Sequence, residues 1–420
     1  MSIFGPADIL LPKNTDFSKW SVVACDQYTS EPEYWEKAAA EAEGAPSSLN
    51  IIFPEAYLEN KDSVERIKKI NETMQSYIDG GIFEEYGNSM VYVERRQSDG
   101  RTRRGIVGAV DLECYDFSAG SQSPIRATEG TILSRIPPRQ RVRENAPLEL
   151  PHIIMLADDR ERRIAESVEA RKDELKLLYD FDLMLGGGHV TGRLLDEKAV
   201  NDVLTGIEAL ADDDEYNAKY GVSGGGKLVL AVGDGNHSLA TAKTCWEELK
   251  KTLTPEQRKT HPARYALAEL MNLHDGALEF EAIHRVVFGT EPEAMIEAMK
   301  EYYPQITEED NGGQCVGVVY GDTEKTFYIK DAPSVIAAGT VQRFIDDYIG
   351  RNGGTVDYIH GGDVTRSLAA EPGRIGFILG SMGKDQLFET VIKDGALPRK
   401  TFSMGEAADK RYYLEARKIR

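Results

Sequence analysis

One segment constrains the fold more than any other. Lys227 to Val232 is a short, mostly apolar run of strand length. Gly233-Asp234-Gly235-Asn236-His237-Ser238 follows as a turn, and Leu239 to Lys251 reads as a helix. A strand that passes through glycines straight into a helix belongs to layered folds of strands and helices. Other segments agree. Trp20 to Cys25 reads as a buried strand, and Ser30 to Ala40 as a helix with Ser30 as N-cap and Glu33 as its capping-box partner. Ser63 to Asp79 carries Val64, Ile67, Ile70, Met74 and Ile78 at helical spacing. Met90 to Arg96 and Thr102 to Leu112 form a hairpin about Ser98-Asp99-Gly100.

Further along, 120–150 is irregular and rich in arginine, including Arg126, Arg135, Arg139, Arg141 and Arg143. Residues 151–156 read as a strand, 161–179 as a charged helix, 181–185 as a strand and 199–210 as a helix. Segments 211–215 and 223–226 read as surface loops. Strands are expected at 316–320 and 326–329, with helices at 340–349 and 383–394. The fold class is therefore α/β, or mixed α+β. The 420 residues imply more than one core, divided as 1–125, 126–290 and 291–420.

Composition excludes whole classes of function. Seventy acidic against fifty basic residues give a formal charge of −20, which repels nucleic-acid phosphates and anionic lipid. No apolar stretch approaches membrane-spanning length, and the N-terminus lacks the pattern of a signal peptide. Cys25, Cys114, Cys245 and Cys315 form no Cys-x-x-Cys pair, which fits a reduced cytoplasmic protein. The histidines show no zinc spacing.

The turn at 233–238 is the first candidate site. Free N–H groups and the positive dipole end at a helix start suit a phosphate or carboxylate. Gly233 and Gly235 allow sharp angles and close ligand approach. Ser238 can cap the helix. Asp234 can hold a metal ion or take a proton, and His237 can donate to a phosphoryl oxygen or shuttle a proton. The same spacing also suits a purely structural turn with a solvated aspartate. No Walker lysine follows, and the third glycine of a dinucleotide fingerprint is missing.

The loop resembles the Asp-Gly-His-His-Arg segment of the domain-of-unknown-function 1015 family, and the resemblance runs along nearly the whole chain. Ala24-Cys25-Asp26 is similar to the family's Pro-Tyr-Asp turn. Arg126 to Thr131, followed by Arg141, resembles its His-Glu-x-Thr stretch. Ile283-His284-Arg285-Val286-Val287 resembles Thr-His-Arg-Val, and Leu397 to Phe402 resembles Met-Pro-x-Lys-Ser/Thr-x-Phe. Asn236 stands at the first family histidine and Ser238 at the family arginine. The change at Ser238 removes a bidentate phosphate clamp, and Arg141, Arg285 and Lys400 are the candidate replacements. Asn236 also stands at the place of the cysteine of the sulfiredoxins, enzymes of a fold that the family loop resembles, which excludes that chemistry.

The family loop in turn resembles the ParB/sulfiredoxin-like fold, which includes free serine kinases. The resemblance implies a ParB-like core with additions at both ends and a phosphate-binding loop for ATP or ADP with Mg²⁺. It implies phosphoryl transfer on a small hydroxy amino acid, serine or its phosphate ester, with a small phosphorylated molecule as the partner. Glu129 would act as base, and Asp234 would place the metal. His237 and the loop would hold the phosphoryl group, with Asp26, His284 and Thr401 near the substrate. The alternative is a non-catalytic nucleotide-binding or regulatory module.

Overall fold

The computed structural model describes residues 2–150 and 152–420, the side chain of 403 aside. Residue 151, the start of one expected strand, lies outside them. The chain divides into two compact units. The first holds Met1–Ala127, Thr131–Leu278 and Gly405–Arg420; the second holds Thr128–Gly130 and Glu279–Met404.

Among the described residues, the first unit is built on a ten-stranded mixed sheet. Its strands run in the order Lys176–Asp182, His189–Leu194, Val91–Arg96, Thr102–Asp111, Tyr265–Asn272, Ile154–Ala157, Leu230–Asp234, Ile125–Ala127 and Tyr115–Asp116, with Phe4–Gly5 paired to Thr102–Asp111. Alternation along the central strands feeds two cores. Tyr92, Ile106, Val110, Ala268 and Leu270 pack on one face with Leu239 and Trp246. Val91, Val93, Val107, Ala109 and Leu267 pack on the other with Tyr413, Leu414 and Ala416 from the C-terminal tail. This is the period-two rule of a sheet covered on both sides.

The second unit carries a seven-stranded sheet in the order Ile306–Thr307, Thr323–Ile329, Gln314–Tyr320, Arg374–Leu379, Phe280–Phe288 and Thr355–His360, with Phe402–Met404 added on Phe280–Phe288. Ala337–Asn352 and Lys384–Asp394 are among its helices. The mixed α/β class expected from sequence is the class observed.

Several local expectations need correction. Residues 161–179 are not one helix. They form Ala165–Glu169, a 3₁₀ turn and the strand Lys176–Asp182, in which Tyr179 and Phe181, two residues apart, pack toward the core. Trp20 ends the short helix Phe17–Trp20, and Val23 makes only an isolated bridge to Arg411. The helix Pro32–Glu41 has Glu31 as N-cap without a side-chain bond, so no capping box forms from Ser30. The acidic run at 211–215 starts the helix Asp213–Tyr220, capped by Asp212. The hairpin forms as expected, from Val91–Arg96 and Thr102–Asp111.

Candidate anion-binding site

The site begins with an irregularity in the sheet. Leu230–Asp234 pairs antiparallel with Ile154–Ala157, matching Val232 to Met155 and Asp234 to Ile154. Gly233 is thus the extra residue of a bulge, which re-aims the side chain that follows it. Gly235 then turns at φ 81°, where a side chain is strained, and a Cβ there would lie 3.1 Å from Ile153 Cα. The helix is Asn236–Leu249, so Asn236, His237 and Ser238 form its first turn. Gly235 is the N-cap and supplies no side chain, which corrects the expected capping by Ser238. First-turn N–H groups have no intrahelical partner, and here they begin a helix of fourteen residues.

Asp234 accepts from the Gly235 N–H at 2.9 Å and pairs with Lys410 Nζ at 3.1 Å. His152 lies behind it, buried, with Nε2 3.3 Å from Asp26 Oδ1. Burial alone would lower the His152 pKa, but Asp26 and Asp234 raise it above its ordinary value. Burial likewise opposes ionisation of Asp26, yet His152, Gln27 and Lys410 hold it well below the usual carboxylate range. Asp26, His152, Asp234 and Lys410 are therefore one network of alternating charge.

His237 is the opposite case. Burial first, then Arg139 and Arg135, pushes its pKa down to about 4. Its Nε2 accepts from the Ile132 N–H at 3.3 Å, which leaves Nδ1 to carry the proton of the neutral ring. The cations near the helix start are thus Lys410, Arg135 and Arg139, with Arg139 also bonded to Glu55. Arg141 projects as an exposed residue of the helix Ile136–Arg143.

The remaining expected residues belong to the second unit. Glu129 is half-buried and makes an isolated bridge to Leu397. His284 is buried, and its Nδ1 accepts from the Leu379 N–H at 3.1 Å. Arg285 is fully buried rather than presented to a ligand. It donates to Gln342 at 3.2 Å, to the Ile283 carbonyl and to the Arg399 carbonyl at 3.4 Å. Lys400 is exposed at φ 55°, and the Thr401 hydroxyl donates to the Pro398 carbonyl at 2.6 Å.

Sequence reading missed His152 and Lys410. His152 has no informative neighbours in sequence, and Lys410 reads as part of a solvated basic terminus. The one available signal was Tyr412-Tyr413-Leu414 beside Lys410-Arg411, an apolar triplet that a solvated tail does not need.

Asp234 does not fit the expected Mg²⁺. One oxygen takes an N–H and the other faces Lys410, and no group of three or more His, Cys, Asp or Glu among the described residues could hold a metal. No helix is long and apolar enough to cross a membrane, among the described residues.

A bulged strand that enters a helix through a left-handed glycine, with Lys410, Arg135 and Arg139 nearby, sits here in a mixed α/β protein. The chain belongs to the family described as protein of unknown function (DUF1015), whose model matches residues 7–348. No curated protein matches it. Similar solved structures include a free serine kinase mutant in complex with ADP, at TM-score 0.38 and 11% identity, covering 72% of this chain and 92% of that one. SbnI with a C-terminal truncation from Staphylococcus aureus gives 0.35 and 12%, over 74% and 81%. A conserved hypothetical protein from Pyrococcus furiosus gives 0.33 and 9%, over 69% and 90%.

Proposed function

We propose that the loop Gly233 to Ser238 binds the phosphate of a nucleotide such as ATP or ADP, or of a phosphate ester. In this reading the protein transfers a phosphoryl group to or from a small hydroxy amino acid of the serine kind. One observation carries it: the helix Asn236–Leu249 starts from a left-handed glycine with no side-chain cap, beside Lys410, Arg135 and Arg139. The amino-acid class comes from the family resemblance.

The chemistry needs little covalent help from the protein. The new O–P bond forms as the leaving P–O bond breaks, and catalysis rests on placement and charge neutralisation. First-turn N–H groups and Lys410 neutralise the phosphoryl oxygens. Neutral His237 donates through its ring N–H, and the substrate hydroxyl proton passes to Asp234. No step is routed through Mg²⁺, which this donor set does not fit.

A second reading, a non-catalytic nucleotide-binding module, is favoured by Ser238 at the arginine position and by the hold of Lys410 on Asp234. Thermal shift with inorganic phosphate, ADP, ATP and phosphoserine tests both. Each reading expects stabilisation that Gly235→Ala weakens at least tenfold in apparent affinity. No stabilisation by any of the four sinks both readings. Stabilisation without turnover, unchanged in Asp234→Asn, selects the module.

A further inference from the structure

The second unit contains a strand–glycine–helix turn of its own. Thr355–His360 and Arg374–Leu379 both pair antiparallel with Phe280–Phe288, one on each side. They therefore run the same way and end beside Ile283 and His284. The helix Gly362–Ala369 lies between them in the chain. Its N-cap is Gly361, at φ 82° and with no side-chain cap, as Gly235 is at φ 81° in the first unit. The N–H groups of Gly362, Asp363 and Val364 open this helix and have no intrahelical partner. In open α/β sheets, ligands bind at the carboxyl ends of strands that run into helices in this way.

A helix start alone is no site, and His284 supplies the second observation. It is 7% exposed, and its Nδ1 accepts from the Leu379 N–H at 3.1 Å. The proton of the neutral ring is therefore on Nε2. No described residue bonds to that nitrogen, which lies 3.8 Å from where a Cβ on Gly362 would stand. A nearly buried donor that no protein group meets calls for an acceptor from elsewhere. The same Cβ would stand 3.0 Å from Arg366 Nη1. Glu324 takes Arg366 Nε at 3.1 Å and Nη2 at 2.9 Å, which leaves Nη1 beside Gly362, 3.5 Å from the exposed carboxylate of Asp363. Burial first, then Arg285, Arg366 and His360, holds the His284 pKa below its ordinary value, so the ring stays a neutral donor in a cationic surround. Gly361, Asp363 and Val364 are exposed, so the space over the helix start opens to solvent and sets no limit on ligand size.

We infer that the start of the helix Gly362–Ala369, with His284 Nε2 and Arg366 Nη1, is a second phosphate site, which takes the phosphate group of a small molecule. The three terminal oxygens of a phosphate match this spread of N–H donors better than the two of a carboxylate. The residues belong wholly to the second unit and do not depend on the loop Gly233 to Ser238.

Long-range ¹H–¹⁵N spectra of the full chain at pH 7.5, titrated with inorganic phosphate and with acetate, test it. Phosphate shifts the His284 Nε2 resonance saturably, and acetate does so at least tenfold more weakly. Gly362→Ala puts a methyl group over His284 and weakens the phosphate titration at least tenfold, while its urea midpoint without phosphate is no lower than the parent's. Arg366→Gln weakens the titration at least threefold. Gly235→Ala, at the loop, leaves it unchanged. No shift at His284, a shift that Gly362→Ala leaves intact, one that Gly235→Ala abolishes, or equal affinity for acetate overturns the inference. Thermal stabilisation by phosphate that survives in Gly362→Ala reports the loop, so either site can fail without the other.

Discussion

Arg285 in the second unit and Arg411 in the first are both buried guanidinium groups, and they are not equivalent. Every nitrogen of Arg285 is engaged, and its guanidinium carbon stands 5.4 Å from the centre of the Tyr358 ring. Arg411 donates from Nε to the Ala408 carbonyl at 2.9 Å and reaches the Tyr34 hydroxyl from Nη2 at 3.5 Å, while Nη1 has no partner and the side chain lines a cavity. Burial lowers the pKa of both. Buried charge alone therefore does not tell a fully braced guanidinium from one with hydrogen-bonding capacity left over.

The largest effect that would break this contrast is expected at Arg285. Arg285→Leu removes the donors for Gln342 and two carbonyls, and should cost about 3 kcal/mol in denaturant unfolding. Phosphate stabilisation at the loop should be unchanged. A variant of wild-type stability would mean that Arg285 is no brace.

Glu415 should give the opposite sign. Burial and then the charge of Glu269 push its pKa up to about 7, against an ordinary value of 4.5. A raised folded value means that its contribution to stability is full below about pH 4.5 and is lost as pH rises through about 7. Glu415→Gln should escape that loss. It should be more stable than the parent at pH 8 by roughly 2–3 kcal/mol, and by little at pH 4. Urea unfolding at the two pH values checks it, and an equal change at both would show that ionisation of Glu415 costs nothing.

The same contrast explains what could be read from the chain. The strand, the two glycines and the helix after them were legible because local steric rules decide them. The bulge at Gly233 was not, since it exists only in pairing with Ile154–Ala157. His284-Arg285 read as a ligand pair, yet the strand Phe280–Phe288 buries both among Ile283, Val286 and Val287. A charged residue inside an apolar run states only that it is buried, not what it meets there. Lys410, Arg411 and Glu415 were illegible for the converse reason. A basic terminus normally lies in solvent, and only the fold brings this one back across a sheet whose strands begin hundreds of residues earlier. The expected replacements for the family arginine were Arg141, Arg285 and Lys400, while Lys410, Arg135 and Arg139 are the cations beside the loop.

The smallest predicted effect compares two histidines in the first unit. His152 is raised by Asp26 and Asp234, and His237 is lowered to about 4 by burial and Arg139. Their linkages to stability have opposite signs. The contribution of His152 is complete below its ordinary 6.5 and fades as pH rises through its raised value. That of His237 is complete above 6.5 and fades as pH falls toward about 4. Long-range ¹H–¹⁵N spectra at pH 6 should therefore show a charged His152 and a neutral His237 with the proton on Nδ1. Asp26→Asn should lower the His152 midpoint, because burial then acts with one fewer opposing charge. Arg139→Gln should raise that of His237, because one repelling cation is gone. Each change is worth about 1 kcal/mol at most. A charged His237 at pH 6 would remove the neutral ring donor from the loop and with it one part of the proposed phosphoryl contact. A neutral His152 would show that Asp26 and Asp234 do not outweigh burial.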